Sequence, residues 1–273
     1  MRYRYYFCKP YRKELVDYLE NHQLSYQTSG RFIKFDLWST TTDIETHLRK
    51  LKEITFTSPL IFPEYTEAEY NSAKLLVMQS QLQTIDILNE DEAYRYNCQW
   101  TNSVGMILKR HESQVAALQI AKEPSSKTRT AFWCESTGFS VLFADSCLKE
   151  LVKKEGIQGL VFQDVILKNG ERSSRIFQAT SQQILDEPCI KLGFGEKRIL
   201  CPQCGKPQYA VDRTYQLHVD FSKIPEELDF YMTAPIFGEG PPESLYVISQ
   251  RFFHCLNENK LADHLTFTPV VEV

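Results

Sequence analysis

The run Cys201-Pro202-Gln203-Cys204-Gly205 places two thiols two residues apart with a glycine behind them. Thiolates at that spacing grip one metal ion from a tight turn, and the glycine lets backbone amides approach the sulfurs. A tetrahedral zinc site needs two further ligands, and the chain holds no second CxxC. The candidates are Cys98 in YNCQWTNS, Cys134 in FWCES, Cys189 in DEPCIK, and His218 or His111. Two outcomes stay open, a zinc centre or a turn that persists without metal.

A CPxC pair also serves thiol oxidoreductases, in which the first cysteine sits at a helix N-terminus that stabilises its thiolate. Pro207 follows Cys204 after two intervening residues, and YAVDRTYQLHV then alternates like a strand, so that helix is missing. There is no GxSxG, GxxxxGK[ST], HExxH or GxGxxG run. His22, His47 and His264 stand in polar surroundings that suit solvated side chains. Cys147 and Cys255 fall in apolar helical patterns and read as small buried hydrophobes. The expectation is a protein without catalytic activity.

A chain of 273 residues with 42% hydrophobic content can bury a sizeable core. Its net charge of -4, with no block of like charges, argues against a phosphate-binding strip, so nucleic acid is a disfavoured partner. The first residues lack the apolar core of a secretion signal, and no window is apolar enough to span a bilayer. Eight cysteines scattered through a medium-sized chain fit a reducing cytoplasm.

The elements that must position these residues read as an α/β (α+β) fold in two parts, 1–95 and 96–273. The first is a small α/β sandwich: strand 2–7, helix 11–21, strand 31–38, and helix 42–52 opened by Thr42 and Asp43. A helix over 67–80 and a strand over 84–88 follow, and 122–130 reads as an exposed loop. Farther on, VLFADSCLKELVKKEGIQGLVFQDV from Val141 aligns without a gap on YVISQRFFHCLNENKLADHLTFTPV from Tyr246. Leu142, Phe143, Leu148, Leu151, Leu160, Phe162 and Val165 match apolar partners, which predicts a strand-helix-strand unit used twice and sharing one sheet.

The stretch from Cys189 onward resembles the double-CxxCG-motif family of bacterial proteins associated with polymorphic-toxin systems as immunity proteins. The matching residues are Cys201, Pro202, Cys204 and Gly205, then LHVDFSKIPEELDFY, LYVISQRFF and LTFTPV. The family's earlier CxxCG is absent, and Cys98 with Thr101 in CQWTN stands as its eroded remnant. The resemblance implies that Cys98 joins Cys201 and Cys204 on zinc, and that the protein neutralises a cognate toxin by direct binding. The loop 231–243, with Tyr231 and Phe237, is the contact surface expected of such a scaffold. The competing expectation is a zinc-dependent nucleic-acid-binding or adaptor protein with a basic face of Arg95, Lys109, Arg110, Lys191, Lys197 and Arg198.

Overall fold

A computed structural model describes the chain except at residues 1, 57–59, 102–106, 128–129, 136–140, 187–188, 192–196, 206, 211–216, 225–226 and 235–243. At 60–62, 83, 97, 100–101, 107–112, 191, 197–199 and 207–210 it describes the backbone alone. The class is mixed α and β, as the residue patterns predict. The chain divides into two compact units, Met1–Tyr70 and a larger one of Asn71–Val211 with Gln216–Val273.

The smaller unit runs β1 (Arg2–Pro10), α1 (Lys13–Asn21), β2 (Gln27–Ser29), β3 (Phe32–Trp38), α2 (Ile44–Thr55) and β4 (Leu60–Glu64). Its sheet has the order β2-β3-β1-β4, antiparallel throughout. Period-2 alternation in FIKFDLW buries Ile33, Phe35 and Leu37 on one face. Leu15 and Leu19 of α1 and Leu51 and Ile54 of α2 close over that face, with Phe7 stacked on Phe35 at 4.5 Å between ring centroids. Both helices thus lie on the same side, in the split β-α-β arrangement. Thr42 and Asp43 do not cap α2 with a side chain; the helix starts at Ile44 from an Asp43 at φ 57.

The helix read over 67–80 is instead a short α3 (Glu67–Ser72) followed by β5 (Leu75–Ser80). β5 is the second-to-last strand of a sheet in the larger unit, so the division falls earlier than the 95/96 boundary read from the sequence. The larger unit continues with β6 (Gln83–Ile85), α4 (Glu90–Ala93), β7 (Tyr94–Thr101), β8 (Ile107–Gln114), β9 (Gln119–Ile120), β10 (Phe132–Glu135), β11 (Leu142–Asp145), α5 (Ser146–Glu155) and β12 (Leu160–Leu167). Its second stretch comprises β13 (Arg172–Ser181), β14 (Ile184–Leu185), β15 (Ile190–Lys191), β16 (Lys197–Leu200), β17 (Pro207–Ala210), β18 (His218–Val219), β19 (Phe230–Thr233), β20 (Tyr246–Ser249), α6 (Gln250–Glu258), β21 (Leu265–Pro269) and β22 (Val271–Glu272).

Each aligned sequence segment folds as strand, helix and strand, and both helices begin where the sequence offers a cap. Asp145 accepts the Leu148 N–H at the start of α5, and Ser249 accepts the Phe252 N–H at the start of α6. The two segments do not share a sheet. β11 and β12 belong to a six-stranded sheet of order β6-β10-β11-β13-β12-β9, while β20 and β21 belong to a five-stranded one of order β14-β19-β20-β5-β21. The five-stranded order corresponds in direction to β6-β10-β11-β13-β12 of the larger sheet: three antiparallel pairs and one parallel edge, β6 on β10 in one sheet and β14 on β19 in the other, while the larger sheet adds a second parallel edge, β9 on β12. In each sheet a third strand separates the pair, the next strand of the chain in one sheet and a remote one in the other. β13 lies between β11 and β12, and β5 lies between β20 and β21.

Aromatic rings from both sheets and α6 meet in the interior, where Phe132 lies 6.0 Å from Phe230 and 6.4 Å from Phe252. Trp133, Phe143, Val165 and Ile176 face a second cluster with Leu118 and Ile120. Buried Asp229 ties the two stretches together by accepting from Gln158 N–H at 2.9 Å, Ser249 Oγ at 2.6 Å and Arg251 at 3.2 Å.

Candidate metal centre

Two antiparallel hairpins carry the thiols. β7 pairs with β8, and the ladder slips between Tyr96 and Cys98, so that Cys98 follows a bulge. A bulge bends the strand and re-aims the next side chain. β16 pairs with β17, and Cys201 to Gly205 form the connection between them. Gly205 has φ +66 and donates its N–H to the Cys201 carbonyl at 2.9 Å, which closes the turn. A Cβ at Gly205 would meet open space, so glycine is needed there for its left-handed backbone and not for close approach.

The Cys98 Sγ lies 3.4 Å from that of Cys201 and 3.5 Å from that of Cys204. All three sulfurs fall within 4.8 Å of one another. A tetrahedral zinc with bonds of about 2.3 Å sets its sulfurs roughly 3.8 Å apart, so the three thiols stand at a separation that one metal ion can bridge. Cys98 and Cys201 are buried and Cys204 is exposed. The Gln203 side chain accepts the Gln99 N–H at 2.9 Å and locks the knuckle turn onto the other hairpin. Gln114, at the end of β8, exchanges two amide hydrogen bonds with Gln178 of β13 at 2.9 and 2.8 Å, which fixes the base of the β7–β8 hairpin.

Cys201 and Cys98 are shifted in opposite directions. Burial by itself would push the Cys201 thiol up, yet the backbone N–H groups of Cys204 and Gln203 and the neighbouring thiols hold it down to about 7. Burial, followed by contact with the other two thiols, pushes Cys98 up to about 12. Ionisation of Cys201 therefore comes first and opposes ionisation of Cys98. A bound cation removes that opposition, because coordination deprotonates a thiol outright.

The three cysteines named from the sequence thus converge, and these three can hold a metal ion. The other candidates lie elsewhere. Cys134 is buried in β10 with its thiol toward the Ser80 carbonyl, and Cys189 is buried against Asp186 and the Lys223 carbonyl. His218 is half-buried in β18, and the side chain of His111 lies outside the described residues. Cys255 is buried as expected, whereas Cys147 is exposed on α5. The expectation for Tyr231 is corrected: it is 2% exposed in β19, and its hydroxyl accepts the Leu228 N–H. Its place at the end of an apparent loop hid a strand in which adjacent Phe230 and Tyr231 are both buried. Phe237 and the rest of 235–243 lie outside the described residues. So do the side chains of Lys109, Arg110, Lys191, Lys197 and Arg198; Arg95 is exposed on β7. The bulge before Cys98 and the Gln99–Gln203 bond were not read from the sequence, because neither has a local signature.

No family model matches this chain, and no curated protein is similar to it. Among the described residues no helix is long and apolar enough to cross a membrane.

Proposed function

We propose that the chain is a non-catalytic binding protein, braced by zinc at Cys98, Cys201 and Cys204, that neutralises a cognate bacterial toxin by direct binding in the cytoplasm. The observation that carries the metal reading is the convergence of three thiols from two hairpins more than a hundred residues apart in sequence, with contacts of 3.4 and 3.5 Å. Sulfur ligands favour zinc among the metals common in a reducing cell, and a structural site of this kind contributes directly to folding. A rigid scaffold that presents a complementary surface is sufficient for neutralisation and requires no reacting groups. The resemblance of Cys201, Pro202, Cys204, Gly205 and the following segments to the immunity family supports the partner class.

The test is co-expression with the toxin domain encoded beside its gene. Rescue of growth and a stoichiometric complex on size exclusion are expected. A toxin that remains lethal and passes the column alone would remove the neutralisation reading and leave the metal site standing.

A further inference from the structure

The smaller unit covers one sheet face with α1 and α2. On the opposite face the central strands pair Arg4 with Trp38, Tyr6 with Asp36, Cys8 with Lys34 and Pro10 with Phe32. None of these residues belongs to the core between sheet and helices, which takes Tyr5, Phe7, Ile33, Phe35 and Leu37. Phe32 is 47% exposed, Arg2 is exposed, and Tyr6, Trp38 and Lys34 are half-buried. The exposed Arg2 guanidinium rests 4.4 Å from the centroid of the half-buried Trp38 ring, a cation–π contact that a stacking base would displace.

We propose that this face binds single-stranded nucleic acid, with unstacked bases on Tyr6, Trp38 and Phe32 and phosphates on Arg2, Arg4 and Lys34. Three rings along two central strands, each beside a cation, match the alternation of base and phosphate in a single strand, and every base offers a π face. A flat sheet face has no helix to enter a major groove, so the duplex is disfavoured. Glu64 pairs with Arg2 at 3.5 Å and with Arg4 at 3.2 Å, which gathers two guanidiniums at one end of the face. Asp36 sits beside Tyr6 and turns phosphates toward the two ends of the face. A protein partner would select rings with charge excluded from their midst, which is the reverse of this interleaving. With the whole chain at -4, the local cations act beside stacking on the three rings. The proposal stands apart from the thiol centre and from toxin binding.

The experiment titrates the full chain into a fluorescein-labelled single strand of about a dozen nucleotides, as RNA and as DNA, and follows polarisation. Saturable binding is expected, weakened about tenfold or more in Tyr6→Ala/Trp38→Ala and several-fold in Phe32→Ser, with Lys50→Ala on α2 unchanged. Phe32→Ser, at an exposed position, keeps the test valid if the double variant unfolds. Absence of binding by the wild type, or full binding by Phe32→Ser and a folded double variant, overturns the proposal. So does equal affinity for the duplex. Concentration-dependent dimerisation lost in Phe32→Ser, without nucleic-acid binding, would give the face to a second copy of the chain.

Discussion

Cys98 shows how much of a metal site a chain can announce by residue type alone. Cys201 and Cys204 declare themselves, because both thiols and the glycine that permits φ +66 lie within five consecutive residues. Cys98 reaches them only through the ladder slip after Tyr96, and no residue pattern in YNCQWTNS encodes that slip. Purified without added metal, the protein should contain about one zinc per chain, and Cys98→Ser should reduce the content as Cys201→Ser/Cys204→Ser abolishes it. Elemental analysis and thermal unfolding of the same samples decide this: wild-type stability in the double variant would mean that the turn needs no metal. Glu123 supplies a test in acid. Burial would raise its pKa, but the Ser173 hydroxyl and the Arg175 guanidinium lower it overall. A depressed folded-state value stabilises the protein above the ordinary carboxylate pKa of about 4.3, and the contribution disappears as pH falls through the depressed value. Glu123→Gln should therefore unfold at lower urea than wild type near neutrality, and the two midpoints should converge in acid. A gap of constant size would mean that the loss is one of packing and not of charge.

Among the elements, the misread one is β5. Ala73, Lys74, Leu75, Leu76, Val77 and Met78 have helical composition, and Leu75 to Met78 are all buried, so the strand shows no alternation. A strand covered on both faces carries a continuous apolar run that periodicity cannot separate from a buried helix. Half-covered β3 was legible for the opposite reason. α5 and α6 were legible because caps and apolar stripes coincide. Gly159 is the element-scale counterpart of Gly205, and its constraint is one of space: a Cβ there would stand 2.4 Å from the Phe230 carbonyl, at φ +92. Gly159→Ala should cost about 3 kcal/mol through displacement of β19 from the end of α5, measured by urea denaturation. Gly205→Ala, with open space around it, should cost only about 1 kcal/mol in the metal-free protein. Equal penalties would show that conformation alone governs both positions.

At the scale of the whole molecule, the aligned segments led to the right local units and the wrong assembly. Leu142 on Val247 and Phe162 on Phe267 record what each unit buries, not which strand intervenes between its two strands. In one sheet that strand is β13, which follows β12 through a short turn, and in the other it is β5, supplied from far along the chain. The covalent joint between the two stretches is the exposed Lys168–Asn169–Gly170 turn, with Gly170 at φ +87. Because each stretch leaves one of its strands in its neighbour's sheet, a single cut at that turn would open the covalent chain without releasing either piece. The pieces should run as one particle on a native column and separate only in denaturant, and refolding one alone should give an aggregate. The same interlock allows two intact chains to lend each other these strands at high concentration, so refolding from denaturant is where intertwined dimers should be sought.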